Sequence, residues 1–308
     1  MRAVVYEEFG GPGVLQIVTV PDPETPVDNQ VVIEVRAVGI NPYDRKVRSG
    51  LVPLKDPKFP RGICSDFAGV VVEAGSEAVH ADGSQILAGH EVMGWSIGGS
   101  LRELVRVRSA QLARKPASLD WTVAGSLTTP GLTAVAALET LNIGPNDTVL
   151  LSAASGSVGV LYAQLAIARG ATVIGTASER NHDVLRAHGI LPTTYGPGLA
   201  DRVRAIAPEG ITAVQDNAGR ETVEAGLELG LPADRICSIV DYGAIAEFGI
   251  VSPGQYVRSA VTLGVLAQRA ADGDLDLPIA NVFPLDRVVD AFTLLESGHS
   301  GGKIVIAP

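Results

Sequence analysis

Positions 153–159 read Ala-Ala-Ser-Gly-Ser-Val-Gly, a run of small residues spaced to cradle a phosphate. Gly156 lets a backbone approach a pyrophosphate closely, and Gly159 lets a following helix pack on the strand before it. N–H groups at a helix start have no partner inside the helix and therefore face negative charge. Ser155, Gly156, Ser157, Val158 and Gly159 are the candidate pyrophosphate contacts. Ala154 stands where the first glycine of G-x-G-x-x-G belongs, so the pattern is A-x-G-x-x-G. A plain βαβ unit whose glycines serve only packing is the competing reading.

The residues about 20 positions further on decide which dinucleotide fits, since an acidic side chain there bonds a ribose 2′-OH. Here the chain reads Thr176-Ala177-Ser178-Glu179-Arg180-Asn181. Ala177 neither accepts from a 2′-OH nor repels a 2′-phosphate. Ser178 and Arg180 donate, and a guanidinium fork matches phosphate oxygens. With Asn181 beside them, they favour NADPH over NADH. In the alternative, Ser178 or Asn181 is a helix N-cap and Arg180 is solvated. An inward-facing Glu179 would reverse the preference.

These residues need a strand, a tight turn, a helix and a second strand around them. Val149-Leu150-Leu151 is a short apolar run, as expected of a strand buried on both faces. Val158, Leu161, Leu165 and Ala168 recur at helical spacing, and Gly170 stands at a C-cap position. Strands over 172–176, 213–216 and 235–240 then alternate with helices over 182–188 and 221–229. That alternation predicts a parallel sheet with helices on both faces. Asn217, just past the strand 213–216, falls at the carboxyl edge where such sheets bind ligands, and is assigned to the adenosine half.

Upstream, residues 2–117 read as mostly β. Val31, Ile33 and Val35 alternate with Glu34 and Arg36, the pattern of a half-exposed antiparallel strand. Glycines and prolines punctuate the segment that follows. A helix over 123–141 leads into the nucleotide stretch, and a helix over 285–296 precedes the run Lys303-Ile304-Val305-Ile306. This last strand has no slot in the nucleotide sheet and is expected to return to the β-rich part, making that domain discontinuous. The expected division is residues 1–120 with 266–308, and residues 121–265.

Composition narrows the function classes. The 308 residues are 46% hydrophobic and carry a net charge of −10 with no basic cluster, which argues against nucleic acid or an anionic membrane as partner. No run approaches the ~20 apolar residues of a membrane span, and the first residues lack a signal-peptide core. Cys64 and Cys237 are too few and too far apart for a disulfide framework. A cytoplasmic protein is expected.

Six segments in order along the chain carry a family resemblance: Val38-Gly39-Ile40-Asn41-Pro42-Tyr43-Asp44, Arg48-Ser49-Gly50, Asp66-Phe67-Ala68-Gly69-Val70-Val71, Gly131-Leu132-Thr133-Ala134, the turn 153–159, and Gly302-Lys303-Ile304-Val305. Together they resemble the medium-chain dehydrogenase/reductase superfamily, in its zinc-free quinone oxidoreductase and enone (alkenal) reductase branch. The resemblance implies an α/β protein: a Rossmann-type doubly wound parallel sheet plus a discontinuous GroES-like β-rich domain. It implies hydride transfer from NADPH to a small quinone or α,β-unsaturated carbonyl, and a homodimer.

By the same resemblance Asn41 and Asp44 border the nicotinamide end of the site. Lys46 replaces a tyrosine common in related quinone reductases and is a candidate oxyanion donor or ribose contact; a solvated surface lysine is the alternative. Thr129, Thr133 and Lys303 fall on cofactor-binding positions. Zinc-dependent relatives hold a Cys where this chain has Asn41-Pro42, and Gly89-His90-Glu91 comes too late to be their His-Glu pair, so no metal is expected. Without a Lewis acid, alcohol oxidation is disfavoured and a conjugated acceptor is favoured. A pathway-specific enoyl reductase and a non-catalytic NADPH-binding protein are the alternatives.

Overall fold

The computed structural model describes residues 1–254, 258–298 and 300–308. The chain divides into two compact units, Met1–Thr129 with Arg258–Pro308, and Pro130–Val257.

The first unit is built on a seven-stranded sheet. Its order is Ile279–Pro284, Lys303–Ala307, Gln30–Gly39, Asp66–Ala74, Glu91–Trp95 and Leu112–Arg114, with Leu104–Arg108 also paired to Gln30–Gly39. Period-two alternation holds in the middle of the long strand, where Ile33, Val35 and Ala37 are buried, Glu34 is half-buried and Arg36 is exposed, while Val31, Val32, Val38 and Gly39 at its two ends are buried without alternation. The buried face meets Phe67, Val71, Leu112 and Ile304, and Phe292 of the helix Val288–Ser297 joins the same cluster.

As the sequence leads one to expect, the C-terminal strand returns to this unit. Val305 and Ile306 pair antiparallel with Gly39 and Val38. Gly39 is glycine because a Cβ there would lie 2.4 Å from Cβ of Ser126 and 2.9 Å from Cε of Lys303. The missing side chain lets the Lys303 stem pass.

The expected helix over 123–141 is two helices, Trp121–Ala124 and Thr128–Thr140. Gly125 sits so close to the neighbouring strand that a Cβ would meet the Ala37 carbonyl oxygen at 2.5 Å. Ser126 Oγ donates back to the Thr122 carbonyl at 2.6 Å. Tertiary packing breaks a helix that periodicity alone makes continuous. The helices Pro42–Arg48, Leu199–Ile206, Tyr242–Phe248 and Ala260–Ala271 add to those expected from the sequence.

The second unit holds a five-stranded parallel sheet in the order Leu191–Thr193, Thr172–Thr176, Thr148–Leu151, Ala213–Asp216, Ile236–Ser238. Val149, Leu150 and Leu151 have no exposed surface, which explains why that strand is apolar without alternation. From Thr148–Leu151 the chain winds one way through the next two strands, then crosses to Ala213–Asp216 on the other side. The order of strand addition reverses at such a point, and parallel sheets bind ligands outside the carboxyl ends of the strands there.

Candidate functional site

The turn that leaves Thr148–Leu151 has the form a phosphate needs. Ala153 takes a left-handed backbone (φ 47°), and Gly156 is the N-cap of the twelve-residue helix Ser157–Ala168, which has no side-chain cap. A Cβ at Gly159 would stand 2.3 Å from the Ala153 carbonyl oxygen and 2.8 Å from Ala154 Cα, so only glycine packs there. At Gly156 a Cβ would meet a single atom, the Ala153 oxygen at 3.2 Å, and the residue is exposed. One glycine fits the helix to the strand. The other leaves open the space a pyrophosphate would fill, above uncapped helical N–H groups.

The loop after the second strand closes on this turn. Asn181 Nδ2 donates to Ser155 Oγ at 3.1 Å and to Ser178 Oγ at 3.3 Å, which brings three of the expected cofactor residues together. Arg180 and Glu179 are both exposed, and among the described residues neither forms an ion pair. Asn217 lies at the sheet edge, with its side chain engaged: Nδ2 donates to the Ser152 carbonyl at 3.1 Å, and Oδ1 accepts from Gln215 Nε2 at 2.9 Å. Behind it, Asp216 accepts from Ser152 Oγ, Ser238 Oγ and two backbone N–H groups, which fixes the shape of the edge. Thr133 is half-buried on Thr128–Thr140. These residues fit a dinucleotide: an open glycine turn, uncapped N–H groups and an unpaired guanidinium near a polar loop.

The first unit holds a buried chain of polar groups. Arg258 donates from a terminal guanidinium nitrogen to Thr129 Oγ1 at 3.4 Å, and Thr129 Oγ1 donates to Asp66 Oδ1 at 2.5 Å. The Thr129 N–H bonds the same oxygen at 3.1 Å. Asp66 Oδ2 accepts from Asn41 Nδ2 at 3.0 Å, and Asn41 Oδ1 accepts from Lys303 Nζ. The Asn41 N–H donates to Asp44 Oδ2 at 2.8 Å, inside the first turn of Pro42–Arg48. Asn41, Asp44, Asp66 and Lys303 are all buried.

Their electrostatics follow from that burial. Burial, and then the nearby Asp66 carboxylate, raise the Asp44 carboxyl to about 7; the Asn41 N–H, Lys303 and Arg258 only partly offset this. Burial pushes the Lys303 ammonium down, opposed by Asp66, Asp44 and Cys64. Burial, with Asp44 and Asp66, pushes the Cys64 thiol well up, so it is no ready nucleophile.

Asn41 and Asp44 of one segment, with Thr129 and Lys303 from elsewhere in the chain, thus meet in one cluster. Asp66 and Arg258 were not expected in it. Asp66 opens the Asp-Phe-Ala-Gly segment and was readable there, whereas Arg258 belongs to no motif. Lys46 lies partly exposed on the same short helix and has no side-chain partner among the described residues.

Asp44 and Cys64 also line a cavity of about 300 Å3 within this unit, together with Tyr6, Tyr43, Arg61 and Ile97. As for a metal, no three His, Cys, Asp or Glu side chains among the described residues stand close enough to share one. An ammonium, that of Lys303, is what lies beside Asp44, Asp66 and Cys64. The residues present do not fit a zinc ion.

Residues 27–117 match the family described as Alcohol dehydrogenase GroES-like domain, and residues 173–306 the family described as Zinc-binding dehydrogenase. Quinone oxidoreductase 1 of Escherichia coli is 30% identical over 274 residues, covering 87% of this chain and 78% of that protein. The chloroplastic NADPH-dependent alkenal/one oxidoreductase of Arabidopsis thaliana is 29% identical, covering all of this chain and 80% of that protein. Among solved structures, the quinone oxidoreductase of Coxiella burnetii superposes with a TM-score of 0.89 at 32% identity, over 100% of this chain and 99% of that one. The Escherichia coli quinone oxidoreductase complexed with NADPH superposes with a TM-score of 0.85 at 26% identity, over the whole of both chains. With a GroES-like β unit, a parallel nucleotide sheet and relatives of this kind, the chain belongs to the medium-chain dehydrogenase/reductase family of oxidoreductases, in the branch of the quinone oxidoreductases and alkenal reductases.

Proposed function

We propose that this oxidoreductase uses NADPH to reduce a quinone or an α,β-unsaturated carbonyl compound, without a metal ion. The observation that carries the reading is Asp44, a buried carboxyl that holds a proton near neutral pH and lines a cavity large enough for a small conjugated ring. Among the described residues those around Asp44 form no metal-ligand set, which suits an acceptor that needs no Lewis acid.

When bound, a reduced nicotinamide supplies the hydride that the acceptor carbon takes up. The acceptor then carries the negative charge on its carbonyl oxygen. Asp44 gives its proton to the reduced acceptor and regains one from solvent. Lys303 and Arg258 lower the cost of the Asp44 carboxylate formed in that step. Asn41 is a positioning residue, since its amide is committed to Asp66 and Lys303 and its N–H orients Asp44. Lys46 offers a second donor to the oxyanion.

On the cofactor side, Ser155, Gly156, Ser157, Val158 and Gly159 hold the pyrophosphate. Ser178, Arg180 and Asn181 hold the 2′-phosphate, while Thr133 and Asn217 complete the contacts. Thr129 and Lys303 act through Asp66 and Asn41.

The test is to mix the purified protein with NADPH or NADH and a panel of para-quinones, enones and alkenals, following the loss of reduced-nicotinamide absorbance. Turnover with NADPH on at least one conjugated acceptor is expected, with NADH much slower. No turnover across the panel, or turnover that requires added zinc, overturns the reading.

A further inference from the structure

The cavity beside Asp44 has a charge pattern that a neutral quinone does not call for. Its apolar lining comes from residues such as Tyr43, Leu54 and Ile97, and two cations, Lys58 and Arg61, share it. Arg61 spends its Nε on the Tyr6 hydroxyl at 3.2 Å and has no acidic partner among the described residues. Lys58 is exposed and likewise has none.

A third cation stands behind the wall. A Cβ at Gly62, which lines the cavity, would lie 3.1 Å from a terminal guanidinium nitrogen of Arg102. Arg102 is half-buried, forms no ion pair among the described residues, and has a buried Nε with no hydrogen-bond partner. Burial lowers its pKa, the mark of a cation without a counter-charge. The one acidic side chain in the lining is Asp44, whose carboxyl burial raises to about 7 and whose Oδ2 already accepts from the Asn41 N–H. A chain with a net charge of −10 has thus placed two cations without acidic partners in the lining of one small cavity, with a third behind its Gly62 wall.

Uncompensated cations next to an apolar wall are the two halves of a site for an amphipathic anion. Resting on the reductase reading above, we propose that this cavity is the acceptor subsite and that it selects conjugated carbonyl compounds bearing a carboxylate. The ring or alkene lies against Tyr43 and Ile97, and Arg61 and Lys58 receive the carboxylate. Arg102 backs them from behind Gly62, where a Cβ would stand 2.6 Å from the Gly98 carbonyl oxygen and 3.1 Å from the guanidinium. At about 300 Å3 the cavity holds a ring with a short substituent and not a long chain.

Two measurements test the proposal. The first is kcat/KM for a neutral para-quinone against the same ring carrying a carboxylate. The wild-type protein is expected to favour the carboxylated ring by about tenfold or more, as a charge-assisted hydrogen bond implies. The ratio should shrink with added salt and fall toward one in Arg61→Met and in Lys58→Met, with Arg61→Lys retaining part of it. The second is calorimetric binding of naphthoate, which cannot be reduced, to the wild-type protein and to the same variants. Binding that is lost in Arg61→Met supports the subsite even if no acceptor is turned over, in which case only the reductase reading fails. Equal kcat/KM for the two quinones, or no naphthoate binding to the wild-type protein at millimolar concentration, overturns it.

Discussion

Asn41 and Asp66 are joined side chain to side chain, Nδ2 to Oδ2 at 3.0 Å, in the buried part of the β-rich unit. The bond fixes both ends of the amide. With Nδ2 committed to Asp66, Oδ1 faces Lys303, and the Asn41 N–H is left to hold Asp44. One asparagine therefore sets the distance between two carboxyls and a lysine, and through that distance the proton affinity of Asp44.

Replacing Asp44 tests that relationship by pH. As the proposed proton donor, Asp44 works in its protonated form, so kcat/KM should fall as pH rises above about 7. Asp44→Asn should lower kcat/KM by about a hundredfold and flatten the profile between pH 6 and 8, taken as approximate bounds on the window. A profile of unchanged shape in the variant would remove Asp44 from the proton path.

Asp66 anchors three donors at once. Asp66→Ala strands Asn41 Nδ2, the Thr129 N–H and the Thr129 hydroxyl, and leaves the two cations beside a single carboxyl. Loss of roughly 3–5 kcal/mol in denaturant unfolding is expected, the scale of removing one partner from a buried charged network.

The two turn glycines should separate folding from binding. Gly159→Ala places a methyl 2.3 Å from a backbone oxygen and should destabilise the protein by about 1–3 kcal/mol. Gly156→Ala meets one atom at 3.2 Å, so its melting temperature should stay near wild type while NADPH titration shows weaker binding. Equal loss of stability in both would mean that the turn serves packing alone.

In the proposed reaction, cofactor choice falls on Arg180. Arg180→Ala should raise KM for NADPH by about tenfold to a hundredfold and leave KM for NADH unchanged, the scale of one charge-assisted contact to a phosphate. An equal effect on both cofactors would place Arg180 away from the 2′-phosphate.

A second titration lies away from this cluster. His80 Nε2 and His90 Nδ1 are 3.1 Å apart, and the Leu87 N–H also bonds His90 Nδ1, so His80 is the donor and its own Nδ1 is buried without a partner. Burial, then Arg114 and His90, lower His80 from 6.5 to about 4, against the pull of Asp82. A depressed histidine contributes stability above its unfolded value that is lost as pH falls from about 6.5 toward 4. Asp44 works the other way, losing stability as pH rises toward about 7, so the comparison must be between wild type and His80→Asn. The variant should lose less melting temperature over that acidic range.

Much of this architecture is legible in the residues, and its gaps have physical causes. The glycine turn and the apolar strand before it are local features, and local spacing revealed them. The Lys303–Ala307 strand could be assigned to the β-rich unit because the nucleotide sheet had no place for it. The break at Gly125 and Ser126 was not legible, because it is imposed by the Ala37 backbone on a segment that otherwise reads as helix. Lys303 was readable as a functional lysine but not as a buried one. Its burial depends on Gly39 and Ser126, which only the fold brings near. Arg258 carries no sequence signal at all. Among the described residues its hydrogen bond into the cluster is to Thr129, and its charge acts on Asp44.

The return of the last strand to the first unit also governs how the protein can be made. Asp44 and Asp66 leave the ribosome early, whereas Arg258 and Lys303 are translated only after Pro130–Val257 is complete. Until then the nascent β-rich unit has an open sheet edge and two acids without counter-ions, while the nucleotide-binding unit is free to fold as an insertion. Assembly therefore finishes from the inserted unit outward, and stalled or prematurely terminated translation leaves the β-rich unit as the part exposed to proteases and chaperones.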